Sequence, residues 1–212
     1  MRNSGHESNG NFGIDAAAGT DGVLHAGAVE TRYRRAGVGP AVLLLGDGDV
    51  AESRYAELFR ALATRCRVTA SVLPAGIRNG AREAPAPVSF SSWLRGLMDG
   101  LGLERASIVV DRGLAVLALA FAAAERDCVE RLVLLSSDEP DPWVGDDVSA
   151  ETLQRAGYDV LVVRTGGEPA PGALQPATAA VVAAFLTGAP TPRPLVAMIV
   201  REGRTGAGSA AA

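Results

Sequence analysis

The sequence predicts an α/β protein with a doubly wound, mostly parallel sheet that is covered by helices on both faces. Strand-like apolar runs alternate with helix-like segments from residue 29 to residue 188, which is the order typical of a parallel sheet. The run Ile108–Val110 is β-branched without interruption, as expected of a strand buried on both faces. Of the 212 residues, 48% are hydrophobic and 21% are charged, which fits one globular domain of ordinary size.

The N-terminal segment, residues 1–28, is expected to be disordered. It is polar and rich in Gly, Ser and Asn, a composition that buries little apolar surface. It also lacks the long apolar stretch of a signal peptide. The folded domain is therefore expected to begin at residue 29 and to end at residue 188.

The first half of this domain contains two predicted strand regions and two predicted helices. In chain order, we expect strands within 33–45, a helix over 55–63, a strand and its exit loop within 67–76, a long loop rich in Pro, Gly and Ser over 75–92, and a helix from Trp93.

The second half begins with a strand that breaks at a tight turn and enters an alanine-rich helix. We then expect a strand over 129–137, a short acidic connection over 138–157, a strand over 158–164 and a helix over 178–186. Only one strand follows the acidic connection, so the sheet is predicted to be trimmed at its C-terminal edge. Residues 189–212 read as a proline-rich linker, an edge strand within 195–200 and a flexible tail.

The turn after Val110 carries the most specific signal in the chain. Strand, sharp turn and helix form the frame of a nucleophile elbow, in which the pattern G-x-S-x-G holds an exposed serine. In the window 110–114 the residue at the serine position is Arg112.

From about Val29 to Leu186 the chain resembles the α/β-hydrolase superfamily. The resemblance is carried by the following segments: YRRAGVGPAVLLL, YAELFRALA, RVTASVLPAG, WLRGLMDGLGLERA and VERLVLLSS. It implies the doubly wound fold, a reduced cap at 138–157, and a site at the carboxyl ends of the strands. The family's oxyanion His-Gly is replaced here by Gly46-Asp47-Gly48, and Ser71 stands where the family usually has aspartate.

The resemblance implies a degenerate member, because the catalytic serine and histidine are also missing. The two histidines, His6 and His25, precede the recognisable domain, whereas the family's histidine lies near the C-terminus, in the region occupied here by Glu168. A serine triad needs a nucleophile and a base to take its proton. We therefore expect a hydrolase fold without hydrolase chemistry.

Three functions stay open at this point. The first is a binding or regulatory module that holds a small apolar or anionic ligand. The second is an active hydrolase, acting on an ester or related bond, with Asp111 and Arg112 as its catalytic residues. The third is an inactive structural partner of an active paralogue. The residues expected to line the pocket are Gly46, Asp47, Gly48, Ser71, Asp138 and Glu168.

Asp111 gives the enzyme hypothesis its most concrete form, since some members of this superfamily use an elbow aspartate to form an alkyl-enzyme ester. The alanine spacing of the following helix nevertheless favours Arg112 at the elbow. A carboxylate at a helix start also suits the helix dipole.

Composition excludes several other classes. The net charge of −4 and the lack of a basic stripe argue against nucleic acid. All 20 basic residues are arginine, which excludes lysine Schiff bases and a Walker-A lysine, and suggests a GC-rich bacterial coding sequence. Cys66 and Cys128 stand far apart, so we expect reduced thiols, no metal site and no cofactor. No run reaches the length of a membrane span, and a cytoplasmic protein is expected.

Overall fold

The protein contains one eight-stranded sheet in the order β1-β2-β4-β3-β5-β6-β7-β8. The computed structural model describes residues 19–46, 55–74, 77, 88–137, 159–165, 176–188 and 200–201. The strands are β1 (Thr20–Ala26), β2 (Val29–Ala36), β3 (Ala41–Gly46), β4 (Arg67–Val72), β5 (Ala106–Asp111), β6 (Val129–Ser137), β7 (Val160–Thr165) and β8 (Val200–Arg201). The described helices are α1 (Tyr55–Ala63), α2 (Phe90–Gly100), α3 (Ala115–Ala124) and α4 (Pro176–Leu186).

The sheet is mostly parallel, as predicted. Strand β2 is antiparallel to both of its neighbours, β1 and β4, and every other neighbouring pair is parallel. The connection from β3 to β4 through α1 and the connections to β5 and β6 through α2 and α3 move in opposite directions across the sheet and use opposite faces, which is what the right-handed crossover rule requires.

Helices cover both faces of the central strands. In β3, the side chains of Leu43 and Leu45 pack on the face that carries α2 and α3. The side chains of Val42 and Leu44 pack on the face that carries α1 and α4. Because neighbouring residues point to opposite faces, a strand buried on both sides is mostly apolar, and this explains the run Ile108–Val110 in β5.

The folded domain begins earlier than predicted, because residues 20–26 form β1 rather than a disordered leader. Seven consecutive residue pairs join β1 to β2 through a two-residue turn, in which Gly27 has a φ of 64°. The low apolar content misled the prediction because β1 buries little surface, with only Ala26 fully buried. Gly22 lies so close to the Tyr33 ring that an added Cβ would stand 2.4 Å from it.

Trp93 of α2 anchors this N-terminal hairpin to the rest of the domain. The indole is fully buried and its Nε1–H donates to Thr31 Oγ1 at 2.9 Å, so the polar tip is satisfied inside the core. Helix α2 begins at Phe90, inside the predicted loop 75–92, because Ser89 caps it by accepting a hydrogen bond from the Ser92 N–H at 3.1 Å.

The C-terminal edge of the sheet is short, as expected. Helix α4 packs beside α1, on the face of the sheet that α1 covers. A right-handed connection from β7 to β8 would place its helix on the other face. The two-residue strand β8 pairs with Val163 and Arg164 and shares only Val200 with the predicted edge strand; residues 195–199 lie outside the described residues.

Candidate functional site

The candidate site lies at the carboxyl-terminal edge of the parallel strands, where open α/β sheets bind their ligands. Strand β3 ends at Gly46 and its neighbour β5 ends at Asp111. Leu45 and Val110 are paired across these two strands, so Gly46 and Asp111 leave the sheet side by side. The structure therefore brings two of the predicted site residues to the same place.

The turn that follows β5 is a 3₁₀ helix over Arg112–Leu114, which runs directly into α3. A 3₁₀ helix uses ordinary right-handed dihedral angles, whereas a nucleophile elbow is a sharp, strained turn. Gly113 has open space around it, since an added Cβ would meet no atom within 4 Å. This turn therefore lacks the steric pressure that makes glycine obligatory in a tight elbow.

Asp111 is held by a residue that the sequence analysis did not single out. The phenol of Tyr55, the first residue of α1, donates a hydrogen bond to Asp111 Oδ2 with 2.5 Å between the oxygens. Tyr55 is buried, and Asp111 is partly buried. Hydrogen bonds to an ionised carboxylate are short and strong, so this contact fixes the carboxylate against α1.

The alternation of side chains along β5 explains why Asp111 contacts α1. Val109 packs on the face covered by α1 and α4, and a side chain two residues along a strand points to the same face. Tyr55 extends the apolar face of α1 that also carries Leu58, Phe59 and Leu62. A tyrosine on an apolar helix face, opposite an acidic strand end, is the sequence signal that would have revealed the pair.

Ser71, another predicted pocket residue, makes a structural hydrogen bond. It is buried in β4, and its hydroxyl donates to the Arg32 carbonyl of β2 at 3.0 Å. This contact ties the antiparallel strand β2 to the parallel part of the sheet. The remaining predicted pocket residues lie outside the described residues: Asp47, Gly48, Asp138 and Glu168.

His25 lies far from the end of β5. It is exposed on β1 at the edge of the sheet, and β2, β4 and β3 stand between β1 and β5. Four spacings of about 4.8 Å separate the two strands by roughly 19 Å. An imidazole there is out of hydrogen-bond reach of Asp111 or Arg112, and His6 lies outside the described residues.

The two cysteines are free and buried. Burial raises the pKa of the Cys66 thiol, against a smaller opposing effect of the neighbouring Arg65. Cys128 contacts the Arg95 guanidinium at the opposite edge of the sheet from Asp111. Within the described ranges, no three His, Cys, Asp or Glu residues are grouped closely enough to hold a metal ion.

Several solved enzyme structures share this architecture. They include a serine hydrolase involved in carbazole degradation, which is 17% identical with a TM-score of 0.55 over 87% of this chain and 90% of that one. A 2-hydroxy-6-oxo-6-phenylhexa-2,4-dienoate hydrolase from a Rhodococcus strain is 17% identical with a TM-score of 0.53, over 86% of this chain and 90% of that one.

A carboxylesterase from Bacillus subtilis is likewise 17% identical, with a TM-score of 0.51 over 87% of this chain and 84% of that one. This chain has the α/β-hydrolase fold. The similarity extends over most of both chains in each comparison, so it covers the central sheet and not a single βαβ unit. At this identity it establishes the architecture alone. No family profile and no curated protein sequence matches the chain.

The α/β-hydrolase fold defines what is unusual about the β5 turn. In that fold the turn presents the nucleophile, and in this chain the turn after β5 is a 3₁₀ helix over Arg112–Leu114, next to a carboxylate that Tyr55 engages. None of the described helices is long and apolar enough to cross a membrane.

Proposed function

We propose that this α/β-hydrolase-fold protein binds a small molecule at the β5 turn and does not hydrolyse it. The observation that carries the proposal is the Tyr55–Asp111 hydrogen bond beside a relaxed turn that begins with Arg112. The acidic group at this strand end is occupied in holding α1, and the residue in the nucleophile position is a cation.

The chemistry of arginine supports a binding role. A guanidinium stays protonated in proteins and has no lone pair to offer as a nucleophile. Acyl transfer also needs a base within hydrogen-bond reach of the nucleophile, and His25 is four strands away. The geometry of the described residues therefore supports retention of a ligand more than turnover.

The ligand that best fits this position is a small molecule with an anionic group and an apolar body. A guanidinium forms paired hydrogen bonds with carboxylates and phosphates. The turn also leads into the amino-terminal end of the ten-residue helix α3, where the helix dipole favours negative charge. Exposed Val116 and Leu117 on the first turn of α3 add apolar surface near the same end.

A titration with matched probes tests the proposal. Octanoate and octanol share an apolar chain and differ in charge, and calorimetry measures both with wild-type protein, with Arg112→Gln and with Arg105→Gln. Arg105 is exposed just before β5, at the opposite edge of the sheet. We expect octanoate to bind better than octanol, and Arg112→Gln alone to weaken octanoate binding at least about tenfold, the cost of one lost charge-assisted pair.

Two other results would change the assignment. Turnover of an ester that disappears in Asp111→Asn would favour an active hydrolase that uses Asp111 and Arg112. Equal responses of the Arg112 and Arg105 variants would remove the ligand site and favour a structural partner of an active paralogue.

The two free, buried cysteines support action in a reducing compartment such as the cytoplasm.

A further inference from the structure

Strand β1 forms one edge of the sheet, and half of its backbone groups point away from the sheet. The turn at Gly27 closes on the pair Ala26–Val29, and antiparallel pairs alternate between bonded and non-bonded from there. On this alternation the N–H and C=O groups of Asp21, Val23 and His25 point outward.

The hydrogen bond of Ser71 supports this orientation independently. Ser71 of β4 donates to the carbonyl of Arg32, so the backbone of Arg32 points toward β4 and away from β1. Val23 is the cross-strand partner of Arg32. The pair Val23–Arg32 is therefore a non-bonded pair, and the backbone groups of Val23 face the open edge.

Within the described residues, this edge lacks several of the features that prevent sheet edges from pairing. Proteins protect edges with lysine, proline, bulges or very short strands. Strand β1 has seven residues, contains neither lysine nor proline, and keeps unbroken register with β2. Val23 is 58% exposed, and among the described residues β1 has no strand on its outer side.

We propose that two copies of this chain associate through β1, with the two β1 strands antiparallel around a two-fold axis at Val23. This register places Val23 against Val23 of the second copy, in a pair whose N–H and C=O groups face each other. It also places Asp21 of each copy opposite His25 of the other copy, because a two-fold axis repeats every contact. The two eight-stranded sheets then form one continuous sheet.

Charge complementarity selects this register. Asp21 already pairs with Arg34 of β2 through Nε–Oδ1 at 3.0 Å, and its side chain remains 48% exposed. His25 stands opposite Glu30. Across the joined edge the row reads Arg34, Asp21, His25 and Glu30, the last two from the second copy. Cations alternate with carboxylates when the imidazole is protonated, and the neutral imidazole still donates a hydrogen bond to Asp21.

The alternative two-fold registers are worse. An axis at Asp21 or at His25 sets each of these residues against its own copy, and an axis at Gly22 or at Leu24 sets Val23 against a polar side chain. Like charges directly opposite each other destabilise a strand pair. Only the axis at Val23 matches apolar with apolar and acid with imidazole along the same strand.

Sedimentation equilibrium of the full chain tests the proposal. We expect a concentration-dependent equilibrium between monomer and dimer for the wild type. Val23→Pro removes an outward N–H and leaves the bonds between β1 and β2 intact, because proline is tolerated where the N–H faces away from the sheet. It should raise the dissociation constant at least about tenfold, whereas Val23→Thr, which keeps the N–H and the β-branch, should change it by less than about threefold.

A charge pair keeps the test valid if Val23→Pro does not fold. His25→Asp places an aspartate opposite each of the two Asp21 side chains in the dimer and should weaken association. His25→Arg places a cation there and should preserve or strengthen association. Thermal melting of both variants checks that the monomer is intact. A wild type that remains monomeric at its highest soluble concentration, or a dimer that responds equally to His25→Asp and His25→Arg, would overturn the proposal.

Discussion

The Tyr55 hydroxyl donates to the Asp111 carboxylate across the interface between α1 and β5. This bond joins the first residue of the helix after β3 to the last residue of the neighbouring strand β5. Because both residues lie at the carboxyl edge of the sheet, the bond fixes the position from which the β5 turn begins. The bond therefore holds the end of β5 against α1, and the turn that follows begins at Arg112.

Tyr55→Phe removes the donor and leaves the ring in place. We expect it to lower the free energy of unfolding by about 1.5–3 kcal/mol, the range for a hydrogen bond to a charged group. Urea denaturation measures the change. Tyr33→Phe, on the partly buried strand β2, is the matched control and should cost less than about 0.5 kcal/mol. Equal losses in the two variants would show that Asp111 gains nothing from the phenol.

Gly113→Ala tests whether the β5 turn is relaxed. The added methyl group meets no atom within 4 Å, so we expect a change between zero and a gain of about 1 kcal/mol in the free energy of unfolding. In contrast, Gly96→Ala in α2 places a Cβ 2.9 Å from the Ala26 and Gly27 backbones. That contact should destabilise the fold by about 1–3 kcal/mol. A large loss in Gly113→Ala would mean that the turn is tight after all.

Thr31→Val leaves the indole N–H of Trp93 without its acceptor inside the core. The geometry of that bond, 2.9 Å between Nε1 and Oγ1, predicts a loss of about 1–3 kcal/mol, the cost of an unsatisfied buried donor. Thr31→Ser keeps the oxygen and should retain most of the stability. Chemical denaturation compares the two variants, and a Val variant as stable as the Ser variant would contradict the role assigned to this contact.

Cys66 predicts a loss of stability at alkaline pH. Burial raises the pKa of this thiol, so the folded state holds the proton more tightly than the unfolded state. The contribution to stability is therefore complete below the unfolded thiol pKa of about 8.5 and is lost as pH rises above it. Unfolding free energies measured from neutral to alkaline pH should fall more steeply for the wild type than for Cys66→Ala. Parallel curves would contradict this expectation.

The sequence predicted the central sheet because β3 and β5 are buried on both faces, and such strands are recognisable as uninterrupted apolar runs. Strand β1 was missed for the opposite reason. It buries Ala26 and little else. It is held by backbone pairing with β2, which does not require an apolar sequence and so cannot be recognised from composition. The start of α2 was misplaced by three residues, because Ser89 acts there as an N-cap.

The candidate site was predicted only in part. The apolar strand and its abrupt turn located Asp111 and Arg112, since a change of periodicity marks the end of a strand. Tyr55 lies 56 residues from Asp111 in the chain, and a contact at that separation depends on how α1 packs on the sheet. Ser71 lies in the predicted strand, but its hydroxyl donates to the Arg32 carbonyl of β2. That contact could not be predicted without knowing that β2 pairs with β4.

The most direct test of the account is a hydrolysis assay with short-chain p-nitrophenyl esters, run with the wild type and with an Asp111→Ala, Arg112→Ala double variant. Thermal melting of the double variant verifies that it is folded, because the Tyr55 contact is lost in it. The account predicts that both proteins release p-nitrophenol no faster than buffer. Turnover by the wild type that the folded double variant lacks would contradict it and would make the β5 turn a catalytic centre.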